Sequence, residues 1–355
     1  MFNRWGGRKK PLISVVCITY NQEAYIEDAI KGFLCQKTDF PFEVIIHDDA
    51  STDYTQKIID NYYRLYPGII RPVIQTVNQM SKGVNVLRQL FNMALGEYIA
   101  ICDGDDFWID PHKLQTQINE MKNHPKCDIS FHSAIAKYES GKNNNRVYKN
   151  WFNENKIIGT EEVIVRGGSF CPTSSLIMKR EVCDELPTWF YEKASAGDVF
   201  LQIYGSLQGG ILYINTPMSV KRINTHLSVS DNFNLSLQHK LSHIQKQESC
   251  YHMLDEELKY EYNKSISIAI SLLYLSYCVT LLKFKDYSNF KIYIEKSWKL
   301  AYNNNIKQFV FYHCRNVRIA LVFLRLIFSM INIKKPKPLL SWISNMNFRF
   351  QRSGK

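Results

Sequence analysis

Residues 96–106 read Gly96-Glu97-Tyr98-Ile99-Ala100-Ile101-Cys102-Asp103-Gly104-Asp105-Asp106. A short, β-rich apolar run ends there on three carboxylates grouped around one glycine. The same figure stands earlier, where Val44-Ile45-Ile46 leads to Asp48-Asp49-Ala50-Ser51-Thr52-Asp53. Apolar runs at 12–19, 42–47, 69–77 and 97–102 read as strands. Between them, apolar residues recur at helical spacing: Ile26, Ile30, Phe33 and Leu34, then Ile58, Ile59, Tyr62, Tyr63 and Tyr66, then Val86, Leu87, Leu90, Phe91 and Ala94. Strand–helix alternation requires crossover connections, so the expected class is α/β with a mostly parallel sheet. In such sheets ligands bind at the carboxyl edge, where both acidic runs fall.

A fourth helix is expected after Asp110-Pro111, with Asp110 capping free N–H groups and Pro111 at the first helical position. Residues 143–168 are polar and irregular and read as loop; 169–178 reads as strand, 197–207 as helix and 210–215 as strand. From 235 to 301 helical patterns dominate. The expected organisation is a basic arm at 1–10, an α/β domain at 11–233, a helical region at 234–305 and a basic amphipathic tail at 306–355.

The chain has 355 residues, 45% apolar and 22% charged, which excludes a small disulfide-stapled module and a disordered chain. Its net charge of +11 points towards anionic partners in general. Residues 301–355 hold ten basic side chains and no acidic one, and residues 1–10 hold four basic ones, leaving residues 11–300 at −3. A slightly acidic body argues against nucleic acid as a partner. The nine cysteines include no C-x-x-C pair and mostly sit in apolar runs, as buried free thiols in a reducing cytosol do. Residues 265–282 carry no charge but include four serines, a threonine and two tyrosines, which favours a buried helix over a membrane span. Residues 319–333, with Arg325 inside and Arg315 and Arg318 just before, fit an interfacial helix with its arginines among lipid headgroups.

Crowded carboxylates at strand ends repel one another and lose hydration, so a fold keeps them where a cation, a sugar hydroxyl or a base edge offsets that cost. The second cluster offers hard oxygen ligands of the kind Mg²⁺ or Mn²⁺ takes, with room left for phosphate oxygens. The competing reading is that these aspartates only cap the turns and helices that follow.

Four motifs carry a resemblance over residues 11–230. Ile13-Ser14-Val15-Val16-Cys17-Ile18-Thr19-Tyr20-Asn21, the Asp48–Asp53 run, Asn78-Gln79-Met80-Ser81-Lys82-Gly83 and the 96–108 stretch with Asp110-Pro111-His112-Lys113-Leu114-Gln115 resemble the inverting family 2 glycosyltransferases of the GT-A fold. The likeness is to bacterial enzymes that build capsule, O-antigen or related surface polysaccharides. The resemblance implies that Ile18 and Tyr20 line a nucleobase pocket and that Asp49 accepts a hydrogen bond from the base. Lys82 meets ribose or diphosphate. Asp103 and Asp105 form a D-x-D element, with Asp105 on the metal and Asp103 nearer the ribose or acting through water. Asp106 positions the sugar or supports the metal shell. Asp198 opens a helix facing the acceptor and is the candidate base; the alternative is an aspartate that only meets the helix dipole. The family often has Arg-x-His after the last strand. Here Asn224 stands in the histidine position of Lys221-Arg222-Ile223-Asn224-Thr225-His226, and His226 lies two residues on as a candidate for the metal or diphosphate. Trp108 is a candidate wall beside the acceptor sugar, against the commoner fate of a core tryptophan.

The implied function is transfer of a sugar from a nucleotide sugar, usually a UDP-sugar, to a glycan or polyprenyl-diphosphate-linked acceptor. The implied location is the cytoplasmic face of the cell membrane. Two other classes remain open. One is a non-catalytic protein that docks on anionic lipid or polymer through its basic ends. The other is a nucleotidyltransferase, although Thr19-Tyr20-Asn21-Gln22 is not the Gly-rich basic loop such enzymes commonly carry.

Overall fold

The structure, a computed structural model, describes residues 10–138, 146–194, 196–223, 225 and 236–333. The chain divides into two compact units, Met1–Asn232 and Phe233–Lys355.

The first unit is built on one sheet. Its strands are β1 (Ile13–Thr19), β2 (Phe42–Asp48), β3 (Ile70–Ile74), β4 (Tyr98–Ile101), β5 (Phe107–Trp108), β6 (Ile129–Tyr138), β7 (Arg146–Tyr148), β8 (Lys156–Ile158), β9 (Ile177–Lys179) and β10 (Ile211–Ile223). They lie in the order β3-β2-β1-β4-β9-β6-β10-β5, with β7 beside β6 and β8 beside β10. The long pairings, β1 with β2 and β4, β2 with β3, and β6 with β10, are parallel. The antiparallel pairings made by β5, β7, β8 and β9 run only two or three residues each. The α/β, mostly parallel expectation therefore holds.

β1 sits between two parallel neighbours, and six of its seven residues are buried, which explains its unbroken apolar run. The helix Ile26–Leu34 buries Ile26, Ala29, Ile30 and Phe33 along one face and exposes a Lys31–Glu27 ion pair at 3.1 Å on the other. The register then decides where the chemistry goes. Thr19 pairs with Asp48, and Val16 pairs with Ile101, so the segments following β1, β2 and β4 leave the sheet at one edge.

Several boundaries differ from the sequence expectations. The fourth helix is Lys113–Asn123, because Asp110 uses its carboxylate on the His112 N–H (2.8 Å) in a turn that precedes the helix. The segment read as loop contains β7, β8 and the helix Thr160–Arg166. The segment read as a strand at 169–178 is two 3₁₀ turns, Gly168–Phe170 and Thr173–Ser175, with only β9 extended. β6 was not anticipated. It buries Ser130, His132 and Ser133 completely, and these polar residues break the apolar pattern of a central strand. Gln117, from the helix Lys113–Asn123, satisfies Ser130 through its side-chain amide at 3.0 Å.

The second unit is helical: Leu237–Glu257, Asn263–Lys283, Tyr287–Leu300, Ile306–Cys314 and Arg318–Ile333. Ser236, Asp286 and Asn305 each cap a following helix by accepting an N–H three residues on. Asn263–Lys283 is long and apolar enough to cross a membrane, with mean hydropathy 1.9, yet 61% of that window is buried inside the protein. Its Ser271 hydroxyl bonds Ser297 O at 2.8 Å, and Gln308 Nε2 bonds Ser271 Oγ at 3.1 Å. A buried hydrogen-bonded junction of three helices is the role of a core helix. Seven of the nine cysteines are buried, and all nine are free thiols.

Gly96 sets the crossing into β4. A Cβ there would lie 2.5 Å from Ser14 N and 2.7 Å from Ile13 C, both backbone atoms of β1 that cannot turn aside. Gly96→Ala should lower stability by about 1–3 kcal/mol, read as an earlier urea midpoint; an unchanged midpoint would contradict this close approach.

Candidate active site

Asp103, Asp105 and Asp106 leave β4 in a tight turn. Gly104 N donates to Ile18 O (2.9 Å) and Asp106 N to Asp103 O (3.1 Å), which curls the loop over the end of β1. Only glycine fits at 104, since a Cβ would meet Gln22 Oε1 at 2.5 Å and Thr19 Cβ at 2.8 Å. The turn gathers three carboxylates whose oxygens lie within 4.8 Å of one another. Among the described residues no other group of three or more acidic, histidine or cysteine side chains comes so close. Asp105 is 8% exposed and Asp106 fully buried. Burial raises the Asp103 carboxyl to about 6, with Asp105 and Asp198 adding to the rise and Lys221 opposing it. Burial likewise raises Asp106 to about 7, again against Lys221. Three hard oxygen donors at this spacing, with charge that the protein only partly offsets, fit a divalent cation such as Mn²⁺ or Mg²⁺.

The far strand supplies the positive charge. β5 pairs antiparallel with β10, Trp108 opposite Ser219 and Phe107 opposite Val220. Continued one and two residues, that register sets Lys221 against Asp106 and Arg222 against Asp105. Arg222 N donates to Asp106 Oδ1 (3.0 Å), and its Nη1 donates to Asp105 O (2.7 Å). Its Nη2 pairs with Asp28, and the guanidinium lies 4.6 Å from the Phe107 ring centroid and 4.9 Å from that of Tyr25. Thr225 Oγ1 donates to Asp105 Oδ2 at 2.8 Å. Lys221 Nζ lies 3.2 Å from Asp106 Oδ2, an oxygen with no aligned hydrogen bond. Burial alone would lower the Lys221 amine, but Asp106, Asp103 and Asp105 outweigh it and hold the ammonium well above its ordinary value. Sequence reading had passed over Lys221, Arg222 and Thr225 as site residues. The signal was present in the basic pair closing an apolar strand, but only the β5–β10 register says what it faces.

The first two loops form the other side. Asn21 Oδ1 accepts from Thr52 N (2.8 Å), and Ser51 Oγ accepts from Asn21 N (2.8 Å). Asn21 and Ala50 take left-handed backbone, φ 48° and 64°, a strained pair facing each other across the β1 and β2 ends. Asp49 accepts from Gln79 N (2.6 Å) and Met80 N (3.0 Å), so it anchors the 3₁₀ turn Met80–Lys82 beside the end of β2. Asp49 itself is 1% exposed, with both carboxylate oxygens taken by these two N–H groups. Ile18 is half-buried at the end of β1, Tyr20 is 36% exposed beyond it, and Lys82 is exposed on the anchored turn.

Asp198 opens the helix Gly197–Ser206. Its carboxylate rests on Gly168, where a Cβ would be 2.9 Å from Oδ1. Burial raises its pKa, while the Val199 N–H (3.0 Å) and the Lys221 charge act the other way. Its carboxylate and that of Asp103 act on each other electrostatically, and the Lys221 charge acts on both.

Trp108 does not line an acceptor groove. It is 2% exposed, donates Nε1 to Ser174 O (2.8 Å), packs edge-on against Phe33 and lies under Lys113 Nζ at 4.2 Å. The core claims it because β5 is the strand that closes β10. The tryptophan that shows a face beside the Gly168–Phe170 turn is Trp151, 37% exposed and fixed by Nε1 to Phe170 O at 2.9 Å. The sequence around it reads as loop. His226 lies outside the described residues.

Residues 14–186 match the sequence pattern of Glycosyl transferase family 2. An uncharacterized protein of Mycobacterium tuberculosis is 35% identical over 217 residues, covering 60% of this chain; the chain spans 59% of that relative's length. The dTDP-rhamnosyl transferase RfbG of Shigella flexneri is 35% identical over 130 residues, covering 36% of this chain and 43% of its own. Among solved structures, S. aureus TarS 1-349 in complex with UDP shares the fold with TM-score 0.52 at 18% identity, over 90% of this chain and 91% of that one. The mannosyltransferase PcManGT of Pyrobaculum calidifontis, in complex with GDP-Man and Mn²⁺, has TM-score 0.52 at 15% identity, over 89% and 87%. Residues 14–186 thus carry the glycosyl transferase family 2 pattern, on a GT-A-like sheet with the acidic turn after β4.

Proposed function

We propose that this protein transfers a sugar from a nucleotide sugar, a UDP-sugar in the first instance, to a hydroxyl of a glycan or lipid-linked acceptor. The observation that carries this reading is the three-carboxylate turn at the carboxyl edge of the sheet. The solved neighbours named for UDP and for GDP-Man with Mn²⁺ support the donor class and the metal.

Asp105 and Asp103 would hold a Mn²⁺ or Mg²⁺ ion, with Asp106 behind them. Such an ion supplies charge to offset the leaving nucleoside diphosphate. Ile18, Tyr20 and Asp49 receive the nucleoside at the β1 and β2 ends, and Lys82 approaches its ribose or phosphates. Asp198 accepts the proton of the attacking hydroxyl. Its raised pKa makes it a stronger base than a solvated aspartate. The acceptor oxygen bonds the anomeric carbon as the bond from that carbon to the phosphate oxygen breaks, which inverts the centre.

We further infer a role in surface-polysaccharide assembly at an anionic membrane face. The helix Arg318–Ile333 supports the location: Leu321 is buried, while Ile319 (84%), Phe323 (65%) and Leu326 (46%) are exposed beside Arg318 and Arg325.

Two measurements test these readings. In a donor screen that follows nucleoside diphosphate release, Asp198→Asn should cut turnover by about 10²–10⁴-fold while keeping Mn²⁺-dependent UDP binding. Asp105→Ala should lose that binding. Full turnover in either variant would refute the assigned roles. On vesicles rich in anionic lipid, the full chain should sediment at low salt and release as salt rises, since screening shortens to about 10 Å at 0.1 M. Binding that ignores salt would instead mean insertion.

A further inference from the structure

We propose that Lys221 is a built-in counter-cation of this site, holding the carboxylate turn while no donor is bound and turning to the donor's diphosphate when a divalent cation arrives. This rests on the metal and nucleotide reading above and adds a residue that the reading does not require.

Lys221 and Arg222 look alike in sequence but are placed for different work. Arg222 is 3% exposed and committed on every side, to Asp105 O, Asp106 Oδ1 and Asp28, with Tyr25 and Phe107 against its plane. It is a strut that holds the turn against β10. Lys221 has its ammonium 3.2 Å from Asp106 Oδ2, and its side chain is 25% exposed where Asp106 is 0%. The ammonium thus sits against a buried carboxylate at the end of a flexible, partly exposed stem, as a compact point charge. Its charge acts on Asp103 and Asp198 as well as on Asp106.

A positive group in this position has two opposite effects. It repels a divalent cation that seeks the same oxygens, because two charges a few ångströms apart in a partly buried site interact strongly. It attracts a diphosphate brought in beside that cation, as lysine does in other phosphate sites. Cation and nucleotide should therefore bind much better together than apart. An ion bound without donor would be weakly held, and the coupling must be the same seen from either ligand.

The test is Mn²⁺ binding to the full chain, followed by electron paramagnetic resonance with and without UDP. The wild type should bind Mn²⁺ at least tenfold more tightly with UDP present. Lys221→Met should bind Mn²⁺ alone on the order of tenfold more tightly than wild type, and gain less from UDP. Lys221→Arg keeps the charge and should stay close to wild type. Unchanged or weaker Mn²⁺ binding in Lys221→Met, with an unchanged melting profile, would overturn the proposal. So would a wild type that binds Mn²⁺ equally with and without UDP, a result needing no variant. A wild type that binds no Mn²⁺ under any condition would overturn the metal reading itself, and the two failures are therefore distinct.

Discussion

One oxygen from each of three carboxylates lies within 4.8 Å of the others at the end of β4, and the burial of that charge is what the surrounding chain has to offset. Left alone, such a turn would open into water. It stays closed because Gly104 lets the backbone lie on β1 and because β10 brings Arg222, Lys221 and Thr225 against it. That delivery depends in turn on two paired residues of β5, which fix the register of β10. Trp108 is buried for this reason: its indole anchors the short strand to Ser174 O and to the core below. The protein supplies positive charge against the turn, and burial still leaves Asp103 and Asp106 with raised pKa values.

In the parallel half of the sheet, β1, β2 and β4 were legible because they are largely buried and centred on apolar runs, while β3 is only partly buried. The acidic turns were legible for the same reason, since a carboxylate ending such a run has to lie at a strand end. The other half was hidden by its own chemistry. β6 buries Ser130, His132 and Ser133, satisfied in part by Gln117, and no periodicity argument anticipates a polar central strand. β5, β7, β8 and β9 are two or three residues long and exist through their partners rather than through local propensity.

The same division runs through the site. Asp103, Asp105, Asp106 and Asp49 announce themselves by position on short loops between readable elements. Arg222 and Thr225 act through long-range pairing with Asp105 and Asp106, which sequence spacing does not encode. Trp108 misled because an aromatic after an acidic motif looks like a sugar platform, while the indole was needed to fill the space beside Phe33. In the second unit, the apolar Asn263–Lys283 helix was read correctly as core because its serines required partners, and Ser271 finds them in Ser297 and Gln308.

The central claim is that the turn after β4 holds a divalent cation for a nucleotide donor. Anomalous diffraction from crystals grown with Mn²⁺ and UDP tests it most directly. The account predicts one manganese peak within about 2.0–2.3 Å of an Asp105 oxygen, with the diphosphate on its open side. Density for UDP at the β1 and β2 ends with no manganese at the turn, or manganese bound elsewhere, would contradict it.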